Sequence, residues 1–153
     1  MKTILFVCTG NTCRSSMAEV IFKNILEELG EKTKGLKVIS AGTAAMIGQS
    51  ASKNAVVAMN EKGIDLSAHE ATLVTKELIK EADLILTMTR NHQQQVLYIE
   101  PKAKEKTYTL KEYIGDEGDI LDPYGQPIEV YRKCAKEIEE NLKVLVEKII
   151  GKN

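Results

Sequence analysis

The 153-residue sequence predicts an α/β fold, a parallel sheet covered by helices on both sides. Two observations carry this. Strand-like and helix-like patterns alternate along the chain, the mark of βαβ units. The first strand candidate, Ile4 to Cys8, is apolar at every position, as a strand buried on both faces must be.

Each element has its own signal. Met17, Val20, Ile21, Ile25 and Leu29 recur at helical spacing, and Gly30 supplies a stop. Two cap readings stay open at the start of this helix. Ser16 with Glu19 has capping-box spacing, and Ser15 is the alternative cap. Leu36 to Ser40 reads as a second strand, closed by Ala41-Gly42. Ser52 to Gly63 reads as a helix through Ala55, Val56 and Met59. Thr75 caps a short helix through Ala82. Leu84 to Met88 is a third buried strand, and Arg90 to Ile99 a helix ended near Pro101. Lys106 to Leu110 is a short fourth strand. Glu117 to Pro127, rich in Gly, Asp and Pro, is a loop. In the last helix Ile138, Leu142, Leu145 and Ile149 share one face.

No Pro/Gly/Ser-rich linker and no repeat divides the chain, so residues 1–153 are expected to form one domain. Lys and Arg number 21 against 22 Asp and Glu. Broad attraction to nucleic acid or an anionic membrane is therefore not expected, and any anion affinity must be local. The apolar stretches are too short to span a bilayer, and the N-terminus lacks a signal-peptide pattern. Three cysteines are an odd number and do not suggest a secreted disulfide framework. The expected compartment is a reducing cytoplasm.

The chemistry concentrates in Cys8-Thr9-Gly10-Asn11-Thr12-Cys13-Arg14-Ser15. Here a strand ends, a loop turns and a helix begins. A helix N-terminus binds anions through unpaired N–H groups, and its field favours a thiolate. Gly10 permits positive φ and close approach of the backbone to an anion. Arg14 offers a planar fork for two phosphate oxygens. Ser15 can donate to the Cys8 sulfur. Asn11 tolerates left-handed geometry and can brace the loop. The alternative for an isolated Cys and Arg is a buried structural thiol and a surface charge. The agreement of strand, glycine, hydroxyl and helix argues against it.

This loop resembles the signature loop of the low-molecular-weight protein tyrosine phosphatases. Ser40-Ala41-Gly42-Thr43, His69 and Asp122-Pro123-Tyr124 extend the resemblance over nearly the whole chain. It implies a four-stranded parallel sheet in a three-layer fold, with no metal and no cofactor. Cys8 would attack phosphorus and form a phosphocysteine, and Arg14 with the loop N–H groups would hold the oxygens. Asp122 would be general acid and then base. Ser40 and His69 would support the loop. The resemblance also implies a reversible Cys8–Cys13 disulfide, whose alternative is a small packed residue at Cys13. Phosphorylated proteins are the implied substrates and phosphate the product.

Within the family, Thr12 resembles the protein arginine phosphatases, where tyrosine-directed members carry Ile or Leu. Phosphotyrosine offers a flat apolar ring, whereas a guanidinium needs acceptors for its N–H groups. Met46 stands where many tyrosine-directed relatives have an aromatic, and Tyr124 can stack on a ring or a guanidinium. Thr109-Leu110-Lys111-Glu112-Tyr113 resembles the arginine-directed subgroup too. One departure is Ser16, where the family usually has proline. The expected activity is phosphoarginine hydrolysis, with phosphotyrosine hydrolysis as the alternative. A thiol-dependent arsenate reductase is more remote, because residues 60–100 hold no resolving cysteine. A phosphate-binding module without activity would have lost Cys8 or Asp122. Asp116 and Asp119 read as solvated loop charges, and His92, Cys134 and Tyr131 as structural.

Overall fold

The computed structural model describes residues 2–151. Met1, Lys152 and Asn153, at the ends of the expected 1–153 domain, lie outside the described residues. Four parallel strands form the sheet: β1 (Lys2–Cys8), β2 (Leu36–Gly42), β3 (Leu84–Thr87) and β4 (Thr107–Thr109), in the order β2-β1-β3-β4. The helices are α1 (Arg14–Leu29), α2 (Lys53–Asn60), α3 (Lys76–Glu81), α4 (Arg90–Ile99), α5 (Leu110–Tyr113) and α6 (Ile128–Ile150), with short 3-10 turns at Gly30–Thr33 and Pro101–Lys106.

β1 is central, and its alternation sets the layers. Ile4, Phe6 and Cys8 enter a core shared with Met17, Ile21 and Phe22 of α1 and Ile138 and Leu142 of α6. Leu5 and Val7 face the opposite layer, with Ile79 of α3 and Val96 of α4. Phe6 meets Phe22 edge to face at 5.8 Å between ring centroids. Truncating Phe6 to Ala would cost about 3–5 kcal/mol through lost burial and the cavity left behind. The same alternation delivers Cys8 to the α1 side at the carboxyl end of the strand, where ligands bind in open parallel sheets.

The local caps follow the sequence closely. Thr75, Thr89 and Thr109 accept hydrogen bonds from Leu78, His92 and Glu112 N–H groups at the starts of α3, α4 and α5. Lys106 to Leu110 shortens to a three-residue strand, because Thr109 caps α5 and turns the chain at Leu110. The predicted capping box on α1 does not form. Cys13 holds the N-cap position with no side-chain cap. Ser16 donates instead to the Cys13 carbonyl at 2.9 Å, and Glu19 is engaged by Ser40 and Lys23.

Candidate active site

The loop from β1 to α1 is built around Asn11. Its φ is +59°, and its buried amide is fully used. Nδ2 donates to Ser15 Oγ at 2.8 Å and to Ser40 Oγ at 2.9 Å, and Oδ1 accepts the Thr72 N–H at 2.9 Å. His69 Nε2 donates to the Asn11 carbonyl at 2.6 Å. Ser40 Oγ in turn donates to Glu19 Oε1 at 2.5 Å. Of the two residues able to take positive φ, Gly10 and Asn11, the left-handed turn falls on Asn11, whose side chain supplies the bonds that hold it. The glycine that sterics demand is Gly42 on β2. A Cβ there would stand 2.3 Å from the Thr9 carbonyl oxygen and 2.9 Å from the Asn11 nitrogen.

Cys8 is buried under this loop. Its sulfur lies 2.8 Å from Ser15 Oγ and accepts the Asn11 N–H at 3.2 Å. Burial pushes the thiol up from its ordinary value, and this is the largest influence on it. The Ser15 and Asn11 hydrogen bonds and the Arg14 charge act the other way. The helix field and the Ser15 hydroxyl, both legible in the sequence, favour the thiolate, and burial is the opposing cost that only the assembled core imposes.

Arg14 is 4% exposed. Nη1 donates to the Ile120 carbonyl at 2.8 Å, and Nη2 reaches Thr9 Oγ1 at 3.5 Å and Asp122 Oδ2 at 3.7 Å. Its buried Nε–H has no partner. A buried guanidinium donor without an acceptor is costly, and a bound oxyanion would supply that acceptor. Asp122 is half exposed at the mouth and accepts the Tyr124 N–H at 3.1 Å. A cavity of about 280 Å³ above the sulfur is lined by loop residues with Met46, Asp122, Tyr124 and Gln49. Thr12 borders it and is largely buried, its hydroxyl only in weak 3.9 Å contact with the Cys13 sulfur. Among the described residues no three His, Cys, Asp or Glu side chains gather as metal ligands would.

Residues 3–153 match the family model for low molecular weight phosphotyrosine protein phosphatase. The chain belongs to that family. It is a protein phosphatase. One relative, named a protein-arginine-phosphatase in Geobacillus stearothermophilus, is 44% identical over 147 residues, 95% of each chain. A solved structure described as the YwlE arginine phosphatase, a cysteine-to-serine mutant with a phosphorylated active site serine, superposes with a TM-score of 0.91 at 42% identity, covering 96% of this chain and 95% of that one. A structure of a low molecular weight protein tyrosine phosphatase from T. tengcongensis gives the same TM-score at 44% identity, covering 97% and 99%.

The phosphatase loop brings together all the residues singled out in the sequence and adds others. Cys13 carries a free thiol with its sulfur 3.3 Å from Ser52 Oγ and 3.5 Å from Tyr131 Oη. Burial pushes the Tyr131 hydroxyl up to about 12. Cys134, read as packing, lies beneath the loop that carries Asp122, with its sulfur 3.8 Å from the Leu121 carbonyl. Asp119 is not merely solvated, since it accepts the Arg90 N–H at the start of α4. Gln49 and Ser52 carry no motif that marks them, and His92 and Tyr131, read as structural, join the loop region across tens of residues. No helix among the described residues is long and apolar enough to cross a membrane.

Proposed function

We propose that the protein hydrolyses phosphoarginine on protein substrates through a phosphocysteine at Cys8, in a reducing cytoplasm. The observation that carries the substrate is Thr12: a hydroxyl with no close partner borders the cavity where an aliphatic side chain would make an apolar wall. It can accept from a guanidinium N–H, and so can Asp122 and Gln49 across the cavity. The relative named a protein-arginine-phosphatase supports the same reading.

The thiolate of Cys8 attacks phosphorus as the P–N bond breaks. Asp122, protonated, gives its proton to the leaving guanidine nitrogen. Arg14 and the N-terminal N–H groups of α1 hold the phosphoryl oxygens as charge redistributes. Asp122 then takes a proton from water, which attacks phosphorus and breaks the S–P bond. Ser15, 2.8 Å from the sulfur, donates to the departing thiolate. Asn11, Ser40 and His69 keep the loop in place. The phosphorylated serine in the YwlE mutant supports a covalent phosphoenzyme.

Phosphotyrosine is the second reading. Tyr124 at the mouth can stack on a tyrosine ring and favours it, as does the relative named a tyrosine phosphatase. Matched phosphoarginine and phosphotyrosine peptides separate the two. Wild type should prefer phosphoarginine, and Thr12→Ile should shift the kcat/KM ratio toward phosphotyrosine by about tenfold or more. A wild-type preference for phosphotyrosine that Thr12→Ile leaves unchanged would overturn the proposal.

A further inference from the structure

His92 is 3% exposed on the first turn of α4. Both of its ring nitrogens meet hydroxyls: Nε2 lies 2.8 Å from Thr9 Oγ1 and Nδ1 2.9 Å from Thr89 Oγ1. Burial, then the Arg14 charge, pushes the imidazole down to about 4. At neutral pH one nitrogen therefore donates and the other accepts.

The capping geometry decides which. Thr89 Oγ1 already accepts the His92 backbone N–H at 3.2 Å. Its own proton is best spent on Nδ1, which makes Nδ1 the acceptor. Nε2 then carries the ring proton and donates to Thr9 Oγ1. That oxygen also receives the Arg14 Nη2–H at 3.5 Å. With its two lone pairs facing incoming donors, the Thr9 hydroxyl must direct its own proton elsewhere. Thr9 lines the cavity above Cys8.

We infer that His92 is a positioning residue for the reaction, relaying donor order from Thr89 through its ring so that the Thr9 hydroxyl donates to the substrate's phosphoryl group. The inference rests on a phosphoryl group occupying this cavity, not on which residue carries it. A preset donor aimed at phosphoryl oxygens strengthens as charge develops on them, so it acts on kcat more than on KM.

The test uses an aryl phosphate, which reports loop chemistry apart from protein substrate choice. His92→Phe keeps the ring shape and removes both nitrogens; Thr9→Val keeps the shape and removes the hydroxyl. Each should lower kcat about tenfold to a hundredfold with a smaller change in KM, and the double variant should be no worse than the worse single one. Additive losses, or a kcat unchanged in both folded variants, would overturn the relay. Should His92→Phe fail to fold, Thr9→Ser must recover most of the Thr9→Val loss, and failure to recover it has the same overturning force. Nitrogen NMR of the wild-type imidazole should show the Nε2–H tautomer; the Nδ1–H tautomer would contradict the proton order. A Cys8→Ala protein as active as wild type would instead refute the covalent mechanism itself.

Discussion

Replacing Gly42 with alanine should separate the loop's geometry from the stability of the fold. The added Cβ would stand 2.3 Å from the Thr9 carbonyl oxygen and 2.9 Å from the Thr9 carbonyl carbon and the Asn11 nitrogen, where ordinary contact begins at 3.4 Å. All three neighbours are backbone, so no side chain can swing aside. Gly42 is itself fixed, donating its N–H to Thr72 and accepting from Val74, both near 2.9 Å. The loop from Thr9 to Asn11 must therefore retreat by about 1 Å, a misplacement that typically costs about a hundredfold in rate. Overpacking of this kind costs about 1–3 kcal/mol, or roughly 2–4 °C of melting temperature per kcal/mol for a chain of this size. The assay pairs thermal melting followed by circular dichroism with kcat/KM on an aryl phosphate. Gly63→Ala is the control, because Gly63 has φ +76° with nothing within 4 Å of a Cβ. It should lower the melting temperature without touching kcat/KM. A Gly42→Ala protein with wild-type kcat/KM would refute the claim that this contact sets the loop.

Asp122→Ala should lose about 10²- to 10⁴-fold on aryl phosphates with poor leaving groups and far less on those with good ones; equal losses across the series would place Asp122 outside proton transfer. His92 carries a pH signature. With Arg14, Asp119 and Asp122 facing it, its value lies near 4 in the folded protein against an ordinary 6.5. The unfolded chain binds that proton first, so the stability from the neutral ring is present above pH 6.5 and is lost as pH falls toward 4. The loss is at most about 3 kcal/mol. In urea denaturation, His92→Gln should be less stable than wild type at pH 7, and the gap should narrow toward pH 4; parallel profiles would contradict the assignment.

Much of this was legible in the sequence, for local reasons. The apolar run of β1 and the Thr75-capped α3 are set by near neighbours, so pattern and cap announced them. The loop chemistry was legible because Cys8, Asn11, Arg14 and Ser15 lie within one turn and one loop. The misreadings have physical causes. Ser16 and Glu19 have capping spacing, yet Ser40 on the neighbouring strand takes the Glu19 carboxylate. The freedom that Gly10 offers goes unused, because Asn11, read as tolerant of left-handed geometry, has the partners to hold that conformation itself. His92 reaches Thr9 across 83 residues, a contact that only the pairing of β1 with β3 creates. The opposing pull of burial on Cys8 likewise appears only once the core is assembled.

The central claim, covalent transfer from phosphoarginine to Cys8, can be read directly. Enzyme mixed in excess with a phosphoarginine-bearing protein, quenched rapidly and mapped by peptide mass spectrometry, should carry one phosphoryl group on Cys8 before phosphate accumulates. A Cys8→Ala protein serves as the blank. Phosphoarginine consumed with no phosphoryl group ever found on Cys8, or Cys8 loaded by phosphotyrosine and not by phosphoarginine, would contradict the account.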